Sequence, residues 1–241
     1  LGRLIGIFFL IPLIYFTIKI GVKKTINFHL IFLLICLQGF IGWYMVSSGL
    51  VDRVDVSHFR LALHLILAFV ILSLIFWNYL NYRKIQLPKK KITNYLIIAF
   101  ILLLFIQIVI GAFVSGMDAG KIYNSWPLMG DNFFPDDNQI INLFSFSSLN
   151  DPSLVQFIHR NLALLIFFLY LYILFKIFRN SHAEYFKTVI IIGFFLVLQI
   201  LLGIFTLISG AQIFLSSMHQ VSSIFLVTSS VYFLYLNTKT N

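Results

Sequence analysis

The chain has 241 residues, 60% of them hydrophobic, 17% aromatic and only 10% charged, too little polar surface for a soluble globule of that size. Its net charge of +9 comes from bases gathered in short stretches beside apolar runs, the pattern of membrane orientation and not of a nucleic-acid surface. The single cysteine, Cys36, lies inside an apolar run, so an intrachain disulfide is excluded and cysteine says nothing about compartment.

The start, LGRLIGIFFLIP, has neither an initiator Met nor a charged leader before a cleavage site, so it is not read as a signal peptide. It reads instead as a chain cut inside a helix. Seven apolar segments follow in order: Leu4–Ile20, Phe28–Val46, Phe59–Tyr79, Ile92–Val114, Leu154–Phe178, Phe186–Ile208 and Ile213–Leu236. Each is near the ~20 residues that a bilayer-crossing helix needs, so the expected fold class is an all-α, polytopic membrane bundle with seven spans. With loops assigned alternately, one side receives Lys19, Lys23, Lys24, Arg83, Lys84, Lys89, Lys90, Lys91, Lys176, Arg179, Lys187 and Lys239 against the single acid Glu184. That side is expected to be the cytoplasm or matrix. The other side holds Asp52, Asp55, Asp118, Asp131, Asp136, Asp137 and Asp151, with Arg3, Arg53, Arg60, Lys121 and Arg160 as its few bases.

On this topology His64 in RLALHL, His159 in VQFIHR and His219 in SSMHQVSS all fall within about two turns of the outer ends of their helices. One such histidine is ordinarily satisfied by a hydroxyl or carbonyl of a neighbouring helix; three at one depth point to a shared use. His29, His58 and His182 sit at or beyond segment ends, where histidine is an ordinary interfacial residue. A second regularity accompanies the first. Gln38 with Gly42, Gln107 with Gly111, and Gln199 with Gly203 repeat a Gln-x-x-x-Gly spacing on three helices, and positions i and i+4 share a helix face. Each of these helices ends outside in a Ser-Gly pair, Ser48-Gly49, Ser115-Gly116 or Ser209-Gly210, and the next helix carries the histidine. Taken singly, such glycines and glutamines are packing residues of membrane helices; their common register points to a duplicated unit.

Superposing the Gln38–His64 pair of helices on the Gln199–His219 pair makes the first segment the counterpart of the helix after His159. A fourth histidine is then expected about two residues before Leu1, with an eighth helix ahead of it, completing two four-helix halves related by a parallel repeat. The expected organisation is residues 1–80 as the remainder of the N-terminal half, 81–91 as a basic inner loop, and 92–241 as the C-terminal half with a long outer loop, 115–152.

Two His-bearing helices facing each other in a bundle can offer two imidazoles to one metal. Zinc normally takes further N, S or O ligands, and no carboxylate or thiolate lies near these histidines inside the spans. A heme needs only two axial ligands and apolar or aromatic walls. Its propionates would point to the outer face, where Arg60 and Arg160 stand beside His64 and His159; plain snorkelling of arginine at helix ends accounts for them equally well. The outer stretch GAFVSGMDAGKIYNSWPLMGDNFFP, Gly111 to Pro135, has the Gly, Asp, Asn and Pro content of a shaped loop. It is either a lid over the site or a loop packed on helix ends.

The loop GAFVSGMDAGKIYNSWPLMGD, the entry VQFIHR, RLALHL and the late MHQ resemble, in the same order and over essentially the whole chain, the signature segments of the heme A synthases. The resemblance implies an eight-helix membrane oxidoreductase that converts a ring methyl of heme O to a formyl group, giving heme A for cytochrome oxidase. It implies that His159 and His219 are the metal ligands of a b-type heme in the C-terminal half, and that His64 is one of a pair in the N-terminal half, where heme O reacts. That pair's other member and a nearby acid would lie upstream of Leu1, so this chain alone is expected to be incomplete as an enzyme. Some members carry cysteine pairs in their outer loops; this sequence has none, which aligns it with the mitochondrial and proteobacterial type. The expected chemistry is successive hydroxylation of the methyl, the second giving a hydrate that loses water, with electrons arriving through the C-terminal heme.

The expected location is a bacterial cell membrane or mitochondrial inner membrane, with the histidines towards the periplasm or intermembrane space. Expected partners are heme O, an electron donor, a heme O synthase, oxidase assembly factors and the lipid bilayer, with a homo-oligomer left open. Two other classes fit the residues less fully. A di-heme electron-transfer cytochrome would use the same histidines without altering a porphyrin, and an oxidase assembly scaffold would tolerate their loss. A transporter would place polar groups at the midplane beside broken helices, whereas Pro12 is the one mid-segment proline.

Overall fold

The computed structural model describes residues 2–49, 56–180 and 182–240. Asp52, Arg53 and Asp55, assigned above to the outer charge set, lie outside the described residues, as does the Arg3 side chain. Seven α-helices are described: α1 Gly2–Ile20, α2 Val22–Gly49, α3 His58–Tyr82, α4 Asn94–Gly116, α5 Pro152–Arg179, α6 Phe186–Ile208 and α7 Ile213–Lys239. Among the described residues six helices, α2 to α7, are long and apolar enough to cross a membrane, so the chain is a multi-pass helical membrane protein. Helix α1 carries a shorter apolar stretch, Leu4–Ile20.

Helix ends also depart from the ends of the apolar runs. Gly21 takes a left-handed φ of 87° and its N–H donates to the Thr17 carbonyl at 3.0 Å, a turn that needs glycine. The chain therefore reverses at one residue and α2 starts at Val22, not Phe28. Lys23 and Lys24 become part of its first turns, because apolar length marks what lies in lipid and not where hydrogen bonding stops.

The packing order follows the chain. Helix α2 packs on α1 and α3, while α4, α5, α6 and α7 form a closed ring, α4 against α5, α5 against α6, α6 against α7 and α7 against α4. This arrangement sets α5 and α7 on a diagonal. Helix α3 packs on α4 and α7 and so joins the two groups of helices.

The main core fills the ring towards its basic end, where Ile97, Phe100, Ile166, Ile177, Ile192, Leu226 and Phe233 are buried together. Asn237, fully buried, closes that end: its side chain accepts from Ile92 N–H at 2.7 Å and Tyr185 O–H at 3.0 Å, and donates to the Ile92 carbonyl at 3.0 Å. Glu184, the single acid on this side, accepts from the Lys89 N–H. The other end, which carries the long loop, is built differently and holds the histidines.

Candidate functional site

His64, His159 and His219 stand six, seven and six residues beyond the first residues of their helices, His58, Pro152 and Ile213, which places each about 9–10 Å along its helix. The shared depth read from the sequence is therefore a shared depth in the fold. Each ring is backed by the glycine of the preceding helix. A Cβ on Gly42 would stand 2.9 Å from Cε1 of His64, on Gly111 3.0 Å from Cε1 of His159, and on Gly203 3.1 Å from Cε1 of His219. At Gly42 a side chain would force the ring to move, and at Gly111 and Gly203 it would press the ring closer than nearly all such contacts.

The glutamines complete two of these seats. Gln38 Nε2 donates to the His64 carbonyl at 3.0 Å and lies 3.2 Å from the ring Nε2. Gln107 does the same at His159, at 3.0 and 3.4 Å. The third seat differs. Gln199 Oε1 accepts from Ser222 Oγ at 2.9 Å, and that hydroxyl also lies 3.0 Å from the His219 carbonyl. Sequence reading found the Gln-x-x-x-Gly register but not its contact with the histidines, because a contact across helices has no periodicity within one helix. Ser222, one turn past His219, carried no signal at all.

On all three rings Nδ1 is buried with no hydrogen-bond partner among the described residues. An enclosed imidazole nitrogen is costly when unbound, and the pattern suits a group that binds imidazole nitrogen. His159 and His219 come from the two diagonal helices and lie within electrostatic range of each other. Around them no residue of 157–165 on α5, 197–208 on α6 or 213–220 on α7 is buried, whereas burial resumes at Ile166 and Ser222 and ends at Leu196. Among the described residues no three of His, Cys, Asp or Glu gather as a metal site. Two imidazoles without a carboxylate or thiolate beside them fit a planar group with two axial ligands better than a small ion with four.

Arg60 donates to Ser48 Oγ at 2.6 Å and stacks over the Tyr44 ring at 4.9 Å. Arg160 is used by the loop. Its guanidinium donates to the carbonyls of Tyr123, Ser125 and Leu128 at 3.0, 3.1 and 3.2 Å, while its Nε is buried with no partner among the described residues. Gln156, buried in the first turns of α5, also donates to the Tyr123 carbonyl at 3.0 Å. Asn124 reaches the Leu207 carbonyl near the end of α6 at 2.9 Å, so the loop straps α5 to α6 across the open end.

Two loop groups are shifted by this folding. Burial, and then its hydrogen bond to Asp136 at 2.7 Å, push the Tyr123 hydroxyl up to about 12. Burial raises the Asp137 carboxyl, but hydrogen bonds from Ser153 at 2.6 Å and Asn138 at 3.2 Å outweigh it and hold Asp137 below its ordinary value. Asp151 caps α5 by accepting from the Leu154 N–H at 3.0 Å.

Residues 1–231 match the cytochrome oxidase assembly protein family. A heme A synthase of Pelagibacter ubique is 46% identical over 242 residues, covering 99% of this chain and 71% of that protein. Those of Rickettsia prowazekii and Wolbachia pipientis wMel are 38% and 41% identical, each over 99% of this chain, with 73% and 69% of their own lengths covered. The chain belongs to the heme A synthase family. Membership agrees with the resemblance carried by the loop, VQFIHR, RLALHL and MHQ. It makes the chain one of a family of oxidoreductases that supply heme A for oxidase assembly.

Proposed function

We propose that the protein converts heme O to heme A, with His159 and His219 holding a b-type heme between α5 and α7 and His64 serving the heme O site. The observation that supports this reading most directly is the threefold seat. Three imidazoles at matching positions along their helices are backed by glycine, and two of them come from α5 and α7, which stand on a diagonal of the ring. Residues 1–80 handle the substrate, residues 92–241 hold the b-type heme, and 81–91 form the basic linker.

When bound, the b-type heme supplies the path for the electrons of the oxidation. The protein's own part is to ligate, orient and exclude. His159 and His219, from the diagonal helices α5 and α7, would hold the heme, and the close helix backing limits how far each ring can swing. The Arg160 Nε, buried with no partner among the described residues, and Arg60 would be the donors available to heme propionates. The loop strapped across α5 and α6 keeps water from the open end, which favours stepwise methyl hydroxylation over side reactions. In this reading the histidines face the periplasmic or intermembrane side, with the lysine-rich loops inside.

Co-expression with a heme O synthase, followed by chromatography of the extracted hemes, tests the proposal. Heme A is expected with the full-length protein, upstream region included, and lost in its His64→Ala and His159→Ala variants, because either change removes a ligand that the proposed sites need. Unchanged heme O in a protein that still shows reversible heme reduction would instead identify an electron-transfer cytochrome.

A further inference from the structure

We propose that Gly111 and Gly203, with Gln107, are positioning residues that set the ring orientation of His159 and His219, and that Gly42 with Gln38 does the same for His64. The inference rests on the heme-site reading above and extends it to residues that touch no heme themselves.

The geometry is specific at each seat. The atom nearest the glycine is Cε1, the ring carbon between the two nitrogens, at 2.9, 3.0 and 3.1 Å from where a Cβ would be. At Gly42 that distance is shorter than carbon atoms tolerate, and at Gly111 and Gly203 it is tight enough that the ring must give by a few tenths of an ångström, so an alanine would press on the middle of the nitrogen-bearing edge and turn both nitrogens together. The histidine cannot escape by sliding along its helix in the first two seats, because the glutamine amide one turn earlier clasps its carbonyl at 3.0 Å. The same amide nitrogen lies 3.2 or 3.4 Å from the ring, which ties ring angle to backbone position. At His219 the clasp comes from Ser222 on the histidine's own helix, and Gln199 bonds Ser222. The two axial histidines of one site are therefore held unequally: Gln107 acts on its ring directly, whereas Gln199 acts through a serine.

Glycine inside a helix is otherwise less favourable than alanine, and Gly39 supplies the internal comparison. It lies on α2 three residues from Gly42, but an added Cβ there meets nothing within 4 Å. If glycines in these helices served only helix packing, Gly39→Ala and Gly111→Ala would differ little at the heme.

The test is the low-spin electron paramagnetic resonance spectrum and the midpoint potential of the heme in the purified full-length protein, neither of which a change in packing alone would move. Gly111→Ala and Gly203→Ala are expected to shift the g values and the potential, or to lower heme affinity by about 10-fold or more, while Gly39→Ala leaves all three unchanged. Gln107→Leu is expected to shift the spectrum more than Gln199→Leu. It also carries the test if the alanine variants do not accumulate, because it introduces no clash. Unmodified protein with a bis-histidine spectrum that Gly111→Ala, Gly203→Ala or Gln107→Leu leaves in place would overturn this inference alone. Unmodified protein with no such spectrum would overturn the heme-site reading beneath it, and this inference with it.

Discussion

Tyr123 shows how one side chain reports on the loop. Its hydroxyl donates to Asp136 and its carbonyl accepts from both Arg160 and Gln156, so the residue joins the loop's far side to the first turns of α5. Raised from 10.0 to about 12, the folded hydroxyl keeps its proton where the unfolded one would lose it. Its contribution to loop stability is then complete below pH 10 and disappears as pH rises from 10.0 to about 12. An ultraviolet titration of tyrosinate, compared with Tyr123→Phe, is expected to lose one late-titrating group; a Tyr123 titrating at the ordinary value would show that the loop is not closed over it. Asp137 behaves oppositely. Because it is held below 3.8, its contribution is present above that pH and lost as pH falls through the lower folded value. The loop is thus expected to be tightest between the two limits.

At the scale of elements, the loop and the helices differ in how much of them can be read from sequence. Arg160 was legible as a base beside His159, for a propionate or for plain snorkelling. In the fold it donates to the carbonyls of Tyr123, Ser125 and Leu128, and no side-chain pattern announces a backbone acceptor. Replacing it leaves the Ser125 carbonyl without its donor, at a cost of ~1–3 kcal/mol if it stays buried, whereas the Tyr123 and Leu128 carbonyls keep Gln156 and the Ser125 hydroxyl. Arg160→Ala is therefore expected to open the 117–151 segment about tenfold more often or more. Limited proteolysis in detergent would register this as faster cleavage within the loop, with the helices left intact; equal cleavage rates would mean that the Asn124 and Gln156 contacts suffice. The helices were far more legible. Seven apolar runs gave seven helices, and the Gln-x-x-x-Gly register marked the shared face of three of them, because a helix fixes which positions share a face, though not that this face meets the histidines. Boundaries such as Val22 escaped because hydropathy measures contact with lipid, whereas helix length is set by turns such as the left-handed Gly21.

The whole molecule is closed at its two ends by different means. At the loop end a folded strap ties α5 to α6 through Arg160, Gln156 and Asn124. At the basic end Asn237 ties the starts of α4 and α6 to the end of α7, and Tyr235 O–H donates to the Leu80 carbonyl at 3.1 Å, tying α7 to α3. Between them the residues around Asn237 are buried and those around His219 are not, so stability and ligand binding are expected to reside at opposite ends of one helix. Asn237→Ala strips both the N–H and the carbonyl of Ile92 of their partners and is expected to destabilise the fold by about 2–5 kcal/mol. Tyr235→Phe removes one hydrogen bond and is expected to cost about 1 kcal/mol. Neither should alter the heme spectrum, since Asn237 lies 18 residues along α7 from His219, ~27 Å at helical rise and far beyond the range of direct coupling. Thermal unfolding followed by the heme absorption would separate the two readouts. A lowered midpoint with an unchanged starting spectrum is the expected result, and a changed spectrum would mean that the packed end also sets the geometry of the histidines.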